Sequence, residues 1–423
     1  MRTFSGTGAL LIPFLFAPAC SDWEGGPVAS PETGGSASAA GSGGAGGSSG
    51  AATTGGSSAA SGGSSCSVSI GPSADALPDG YPKGLHAVGN TIEDSEGTRI
   101  VLRGVNRSGT EYKCAQSGGI FDGPSDEASV AAIASWQVNA VRIPLNESCW
   151  LGINNAPSRY SGANYKRAIS EYVALLHKYA LIPILELHWA APGTTLAGMQ
   201  LPMPNVDHST DFWADVATTF LEDDGVVFEP FNEPFPDGNR DSAAAWACWR
   251  DGCTLSQPRD AQGTVRDAYQ AIGMQGLVDA IRGAGSKHLI LLGGVQFSNN
   301  LSEWLTHQPQ DSLPVQNLGA AWHAYNFNGC KAQSCWDSAP AGVAAQVPLV
   351  ATEIGEDDCG DTFINPLMDF LDGQGAGYLA WTWNTYGMCA KSQAYSLVSD
   401  FYCPVPNSTF AESFRAHVIE ATP

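Results

Sequence analysis

Eight short apolar runs, separated by long stretches of mixed polarity, constrain the fold of this chain more than any other feature. Each run is hydrophobic at successive positions, which is typical of parallel strands buried on both faces. The runs are 101–106, 140–145, 182–189, 226–233, 288–294, 319–325, 348–354 and 377–383. Amphipathic stretches between them, such as 163–179 and 261–283, predict helices. Strands alternating with helices at roughly 40 residues per unit predict an α/β fold, a (β/α)8 TIM barrel with long loops.

A doubly wound parallel sheet is the alternative, and it commonly carries a glycine-rich phosphate loop after a strand. Leu292-Gly293-Gly294 is too short to count as such a loop. Before the barrel, residues 85–92 and 98–101 flank the turn Asp94-Ser95-Glu96-Gly97. This pattern predicts a short N-terminal hairpin.

Residues 1–19 have the features of a secretory signal peptide. Arg2 gives a basic start, residues 9–16 are apolar, and Ala17-Pro18-Ala19 fits an A-x-A cleavage site. The apolar run is too short to span a bilayer. Cys20 follows directly, as in bacterial lipoprotein signals, although Ala17 stands where Leu is usual. We therefore expect an extracellular or cell-surface protein, with either a cleaved leader or an outer-membrane lipid anchor on Cys20.

Residues 20–65 consist largely of Gly, Ser, Ala and Thr. A segment of this composition cannot bury enough apolar surface to fold, so it predicts a flexible linker. The remaining residues, 66–423, form one predicted catalytic domain, and we expect it to be a monomer.

The eleven cysteines become ten when Cys20 is set aside. An even number is expected for disulfides in an oxidising compartment. Spacing predicts local bridges between Cys248 and Cys253 and between Cys330 and Cys335, and it leaves the other pairings open. A zinc cluster is the alternative, but the sequence has no CxxC or paired Cys/His spacing.

The chain has 42 acidic and 20 basic residues, for a formal charge of −22. Nucleic-acid binding needs clustered Lys and Arg, so this surface disfavours it. A neutral polysaccharide remains compatible with it.

In a (β/α)8 barrel the active site lies at the carboxyl ends of the strands. The runs carry a distinctive set of polar and aromatic residues at these ends: Asn106, Arg142, His188, Trp189, Asn232, Glu233, His323, Tyr325, Glu353, Trp381 and Trp383. A single one of them would be more often structural than functional, so the prediction depends on their occurring together.

Two glutamates occupy the fourth run and must be distinguished. Glu229 and Glu233 are four residues apart, so both point to one face, with Glu229 about 13 Å deeper. We interpret Glu229 as a structural carboxylate of the core and Glu233 as a group at the rim. Pairing with Glu229 inside the barrel is an alternative role for Arg142.

Carboxylates at the rim indicate hydrolysis of a glycosidic bond, in which one carboxyl protonates the leaving oxygen and the other attacks the anomeric carbon. Retaining enzymes hold the two groups about 5–5.5 Å apart. We expect Glu233 to be the acid/base and Glu353 the nucleophile. Their pKa values must differ, and Arg142 is expected to keep Glu353 ionised.

The chain resembles the cellulases of glycoside hydrolase family 5. The motifs that carry the resemblance follow the family's order along the domain: Leu102-Arg103-Gly104-Val105-Asn106, Val138-Asn139-Ala140-Val141-Arg142-Ile143-Pro144, Leu187-His188-Trp189, Phe228-Glu229-Pro230-Phe231-Asn232-Glu233-Pro234, His323-Ala324-Tyr325, Ala351-Thr352-Glu353-Ile354-Gly355 and Ala380-Trp381-Thr382-Trp383.

The resemblance implies the same acid/base and nucleophile, with Asn232 on the sugar 2-hydroxyl and Tyr325 and Arg142 holding the nucleophile. It places His188 and His323 along the sugar site, with Trp383 beneath it. Two departures stand out: Glu186 replaces the Asp that is frequent in the family, and the eighth run offers Trp381 as a second candidate for stacking.

The resemblance implies a retaining, endo-acting hydrolase of β-1,4-glycans, with endoglucanase as the leading activity and β-mannanase as the alternative. From another class, an inactive surface carbohydrate-binding protein is possible, but the presence of both carboxylates argues against it. We expect no cofactor and no metal. The acidic loop Glu356-Asp357-Asp358 with Asp361 could bind calcium, although a solvated loop is the favoured interpretation.

Overall fold

The structure is a computed structural model that describes residues 80–386 and 395–421. The predicted leader and linker, together with Cys20, Cys66 and Cys389, lie outside the described residues. Within the described part, no helix combines the length and the apolar character needed to cross a membrane.

The described strands are β1 His86–Val88, β2 Thr91–Glu93, β3 Arg99–Ile100, β4 Arg103–Asn106, β5 Ala140–Asn146, β6 Ile182–Trp189, β7 Val227–Glu229, β8 Cys253–Leu255, β9 Tyr269–Ala271, β10 Ile290–Gly293, β11 Leu318–Tyr325, β12 Leu349–Gly355 and β13 Gly377–Ala380.

The described helices are α1 Glu127–Ala134, α2 Glu147–Leu151, α3 Ala163–Lys178, α4 Ser209–Thr219, α5 Pro236–Asn239, α6 Ala243–Asp251, α7 Met274–Gly283, α8 Trp304–His307, α9 Gln333–Trp336, α10 Ala339–Ala344, α11 Ile364–Gln374 and α12 Thr409–Ala421.

Eight parallel strands form a closed barrel in the order β4-β5-β6-β7-β10-β11-β12-β13, as predicted. Pairing of Tyr378 on β13 with Arg103 on β4 closes the ring. β5, β6, β11 and β12 are buried along nearly their whole length. This burial explains their continuous hydrophobicity, since one face points into the barrel and the other meets the helices.

Helix α3 shows how the outer layer packs. Its buried residues Tyr165, Ile169, Tyr172, Val173 and Leu176 recur every three or four positions. This spacing gives one apolar face, which covers the barrel wall.

A three-stranded antiparallel meander, β1-β2-β3, precedes the barrel. Leu85 and Ile92 belong to one buried cluster with Leu102 and Leu291, so the meander covers the amino-terminal end of the barrel. The Ala87 N–H donates to Asn317 Oδ1, just before β11, at 2.8 Å. The opposite, carboxyl end of the barrel stays available for a site.

The structure corrects two predicted elements. The run 85–92 is not one strand, because Gly89 adopts a φ of +59° and turns the chain between β1 and β2. The stretch 261–283 is helical only from Met274, since β9 occupies part of its first half.

The two predicted local bridges, Cys248–Cys253 and Cys330–Cys335, are present. A third bridge joins Cys114 to Cys149 across 35 positions, and spacing alone had left this pairing open. Cys359 and Cys403 are also disulfide-bonded.

Candidate active site

The barrel strands bring the predicted residues together at their carboxyl ends. Arg142, on β5, is fully buried and lies at the centre of the group. Its Nε donates to Glu229 Oε2 at 2.8 Å and its NH1 to Glu353 Oε1 at 2.7 Å. Its NH2 donates to Asn232 Oδ1 at 2.8 Å. Arg142 therefore contacts both the structural carboxylate and the predicted nucleophile, so the two interpretations of its role hold together.

Glu353, on β12, is only 4 % exposed. Besides Arg142, it accepts a hydrogen bond from the Tyr325 hydroxyl to Oε2 at 2.6 Å. Burial raises the pKa of Glu353, although the positive charges of His323 and Arg142 act in the opposite direction. Arg142 thus favours the ionised form of Glu353, while burial opposes it.

Glu233 lies four residues beyond the end of β7, in the loop that follows the strand, with a side chain 19 % exposed. Its Oε1 lies 2.9 Å from His323 Nδ1. One oxygen from each of Glu233 and Glu353 and one nitrogen of His323 all lie within 4.8 Å of one another. The two carboxylates therefore share one site, with Glu353 buried and Glu233 at the rim.

His323, on β11, lies between the two carboxylates, with Nδ1 also 3.5 Å from Glu353 Oε2. Burial acts to lower the pKa of His323, but the charge of Glu353, the Glu229 carboxylate 3.8 Å from Nε2 and the hydrogen bond with Glu233 raise it to about 9. His323 is consequently a second buried cation at neutral pH.

The neighbouring buried carboxyls respond differently to their surroundings. Burial raises the pKa of Glu186 well above its usual range, although the charge of Arg142 opposes this shift. Burial also acts to raise the pKa of Glu229, but the charge of Arg142 and its hydrogen bonds hold it below the usual value. Arg142 and His323 together carry two positive charges, of which Glu229 compensates one. Glu353, which faces both cations, is well placed to compensate the other.

His188, on β6, lies at the edge of the group. Its Nδ1 is hydrogen-bonded to Glu186, and its Nε2 is 3.4 Å from Asn232 Nδ2. Its ring stacks on Trp381 with centroids 5.5 Å apart and planes at 12°. Trp381 is partly exposed, so one face of the site has an accessible aromatic ring.

Trp383 does not take the position predicted for it beneath a sugar. Its side chain is fully buried and packs edge-on against Trp136 at 4.9 Å. The reason is that β13 ends at Ala380, so the alternation of a strand does not extend to position 383. Trp381, the second candidate, is the tryptophan at the site.

The sequence profile of the cellulase family, glycosyl hydrolase family 5, matches residues 94–387, more than half of the 423-residue chain. The chain belongs to glycosyl hydrolase family 5. It is therefore a glycoside hydrolase, and its relatives place it among the β-glycanases.

Two sequence relatives are mannan endo-1,4-β-mannosidases. The enzyme of Streptomyces lividans is 26 % identical over 75 % of this chain and 70 % of its own length. The enzyme of Salipaludibacillus agaradhaerens is 21 % identical over 71 % of this chain and 81 % of its own length. Among solved structures, a β-glucanase of Saccharophagus degradans superposes with a TM-score of 0.58 at 19 % identity, covering 83 % of this chain and 98 % of that one. This likeness confirms the barrel fold.

Sequence reasoning missed two parts of this family 5 site. The first is Gln200, in the loop between β6 and α4, whose Nε2 donates to Glu233 Oε2 at 3.1 Å and to the Glu233 carbonyl at 3.0 Å. No strand-end pattern could identify a residue so far along a loop.

The second is a left-handed turn after β10. Gln296, Phe297 and Ser298 have φ angles of 57°, 61° and 56°. The Ser298 hydroxyl donates to the Asn232 carbonyl at 2.7 Å, and the Phe297 N–H donates to the Pro234 carbonyl at 3.0 Å. The turn therefore holds the backbone on both sides of Glu233.

In the acidic loop after β12, Asp358 is exposed, as expected for a solvated loop, whereas Glu356 has a structural role. Glu356 is fully buried, and its Oε1 accepts the N–H groups of Phe363 and Ile364 at 2.8 and 2.6 Å. It thus caps the start of α11. In the described part of the chain, the group of acidic and histidine side chains spaced to hold a metal is Glu233, His323 and Glu353, which is the carboxylate pair itself.

Four further tryptophans, Trp150, Trp213, Trp246 and Trp304, are all buried. They are core residues.

Proposed function

We propose that this protein is a retaining, endo-acting hydrolase of β-1,4-glycans. The observation that carries the proposal is the placement of two carboxyl groups within 4.8 Å of each other at one barrel mouth, in unlike surroundings. That proximity suits direct attack by one carboxylate on the sugar, since inverting enzymes leave room for a water between the pair.

In the first step, Glu353 attacks the anomeric carbon while Glu233 donates a proton to the leaving glycosidic oxygen. Tyr325 and Arg142, which hydrogen-bond one oxygen of Glu353 each, hold that carboxylate for attack. In the second step, Glu233 removes a proton from water, which releases the sugar from Glu353.

The other polar groups around the pair suit recognition of the sugar. We assign Asn232 to the 2-hydroxyl and His188 and His323 to the walls of the sugar site. Trp381 takes the stacking role, because its ring is accessible and that of Trp383 is not.

Accessible aromatic rings near the pair support endo action. Trp381 and His188 form one group. On the loop after β11, Phe327 is 52 % exposed and stacks on Tyr325 with centroids 5.1 Å apart. Several such rings would bind further sugar units along a chain, as an endo-acting enzyme requires.

Two main-chain sugars have separate support. Mannan is the substrate in the names of both sequence relatives. Glucan is the substrate expected from the sequence motifs, and the superposed Saccharophagus enzyme is a β-glucanase that has also been solved with cellotetraose. We propose mannan first, because both sequence relatives are named for it, and endoglucanase activity as the second candidate.

The disulfides are typical of proteins that fold in oxidising compartments, which supports export. The leader, the lipid on Cys20 and the monomeric state remain proposals. Mass spectrometry of the mature protein from a bacterial host and size-exclusion chromatography with light scattering test them.

Release of reducing ends from soluble mannan, cellulose and xylan derivatives tests the activity. We expect Glu233→Gln and Glu353→Gln each to lose about 10²–10⁴-fold in kcat/KM. Glu222→Gln, an exposed change of the same type, should keep full activity. Near-normal activity in either active-site variant, or no release from any β-glycan by the unaltered protein, would contradict the proposal.

A further inference from the structure

Gln200 is a buried amide that contacts two neighbouring residues of the site. It is 7 % exposed. Its Nε2 donates to Glu233 as described above, and its Oε1 lies 3.3 Å from Asn232 Nδ2, which donates to it. One side chain thus fixes the carboxyl of Glu233 and the amide of Asn232 relative to each other.

The two oxygens of Glu233 consequently have different donors. Oε1 faces His323 at 2.9 Å, and Oε2 faces Gln200 at 3.1 Å. Because these contacts approach the carboxyl from two directions, they fix the plane of the group.

The loop that carries Gln200 is anchored at its two ends by one buried carboxylate. Glu147 accepts hydrogen bonds from the Ala191 N–H at 3.0 Å and from the Ser209 hydroxyl at 2.6 Å. It also accepts from Asn205 Nδ2 at 3.0 Å. These hydrogen bonds therefore hold residues 190–208 in a fixed position beside the site.

The segment 252–273, between α6 and α7, supports the same loop from outside. The Val206 N–H donates to the Gln270 carbonyl at 3.0 Å, and the Ile272 N–H donates to the Pro204 carbonyl at 3.0 Å. Closer to the site, the Ala261 N–H donates to the carbonyl of Gln200 itself at 3.1 Å. The hairpin β8–β9 in this segment thus holds the backbone of Gln200 in place.

We propose that Gln200 is a positioning residue for the acid/base of this hydrolase, held in place by the segment 252–273. The inference rests on the proposed role of Glu233. An amide N–H can only donate to Glu233, and such a bond is stronger to a carboxylate than to a carboxylic acid. Gln200 therefore orients the carboxyl of Glu233 for proton transfer with the substrate.

The test replaces the amide with an apolar group of similar size, Gln200→Leu, and measures kcat/KM on a β-glycan that the unaltered enzyme hydrolyses. We expect a loss of about 10- to 100-fold. A role in folding alone would lower the rate on every substrate by the same factor.

A substrate with a 2,4-dinitrophenyl leaving group gives a second readout. Departure of this group needs no proton, so formation of the glycosyl-enzyme should be far less impaired in Gln200→Leu than it is on the natural glycan. The matched control is Gln346→Leu, an exposed glutamine just after α10, which should leave the rates on both substrates unchanged.

Gln200→Glu keeps the shape of the side chain and serves if the leucine variant does not fold. Its carboxylate cannot donate a hydrogen bond to Glu233, so the natural glycan should again be affected more than the dinitrophenyl substrate. Rates that match those of the control on both substrates in every folded Gln200 variant would overturn the role of Gln200. Inactivity of the unaltered enzyme on all β-glycans would instead overturn the proposed function.

Discussion

The side chain of Arg142 makes a set of contacts that two lysines could not make. Its planar guanidinium donates to Glu229 through Nε and NH2 and to Glu353 through NH1, because arginine presents its donors in a fixed fork. The same group is therefore part of the barrel interior and part of the site. Burial acts to lower the pKa of Arg142, but the surrounding carboxylates raise it well above its usual value.

The protonation state of His323 is a direct test of this arrangement of charges. Its pKa of about 9 means that the imidazole should still be protonated at pH 8, where an ordinary histidine is neutral. We expect a ¹⁵N NMR titration to give a midpoint near 9 for the resonance that is lost in His323→Gln.

The charge of Glu353 is the largest influence that raises the pKa of His323. Glu353→Gln should therefore lower the midpoint, whereas Glu222→Gln should leave it unchanged. A midpoint below 7 in the unaltered protein would show that the cluster does not hold a second cation.

The raised pKa of Glu356 leads to a prediction about how stability depends on pH. Burial raises its pKa to about 7, from 4.5 for the ordinary group. Because the folded protein holds this proton more tightly than the unfolded chain, the stabilisation is complete below pH 4.5 and is lost as the pH rises through 7. We expect the unaltered protein to lose about 2 kcal/mol more than Glu356→Gln between pH 5 and pH 8.

Urea unfolding at several pH values measures this difference. Glu412→Gln, at an exposed position in the first turn of α12, is the control and should follow the unaltered protein. Parallel curves for Glu356→Gln and the unaltered protein would refute the assigned protonation.

At the level of elements, the turn 296–298 depends on two glycines that precede it. A Cβ on Gly293 would lie 2.1 Å from Ser298 Oγ, and a Cβ on Gly294 would lie 2.0 Å from the Asn300 carbonyl. The Gly293-Gly294 pair, too short for a phosphate loop, thus allows the close approach that places the turn behind Glu233.

A side chain at position 293 would clash with the Ser298 hydroxyl, so a substitution of Ser298 can remove the clash. We expect Gly293→Ala to lower stability by about 1–3 kcal/mol and to reduce kcat/KM. Adding Ser298→Ala should recover most of the stability. Gly294→Ala meets backbone, so Ser298→Ala should not rescue it. Thermal unfolding of the four variants gives the comparison, and equal rescue at both positions would contradict the explanation.

The strands and the site residues at their ends were predictable because both depend on local pattern. Continuous apolar runs identify buried strands, and strand ends identify the mouth of the barrel. Where a strand stops early, the pattern failed: β13 ends at Ala380, and the accessible tryptophan is Trp381, two positions before the predicted Trp383. Gln200 was not predictable, because its place depends on long-range contacts with Glu147 and the segment 252–273.

For the whole molecule, disulfides link loops at the mouth of the barrel. The bridge Cys114–Cys149 joins the loop after β4 to α2, which follows β5, across 35 positions, and Cys248–Cys253 closes a separation of only 5. In the chain-entropy description, a cross-link stabilises by restricting the unfolded chain, and the effect grows with the length of the loop it closes.

The double variant Cys114→Ala/Cys149→Ala should therefore lose about 3–4 kcal/mol of stability, about 1–2 kcal/mol more than Cys248→Ala/Cys253→Ala. Both cysteines of the longer bridge are fully buried. Their replacement by alanine therefore leaves a small cavity at each position. Denaturant unfolding of the two double variants measures the difference. If the short bridge proved the more stabilising, its value would lie in holding the base of the segment 252–273. Loss of this bridge should then also lower kcat/KM, as is expected for Gln200→Leu.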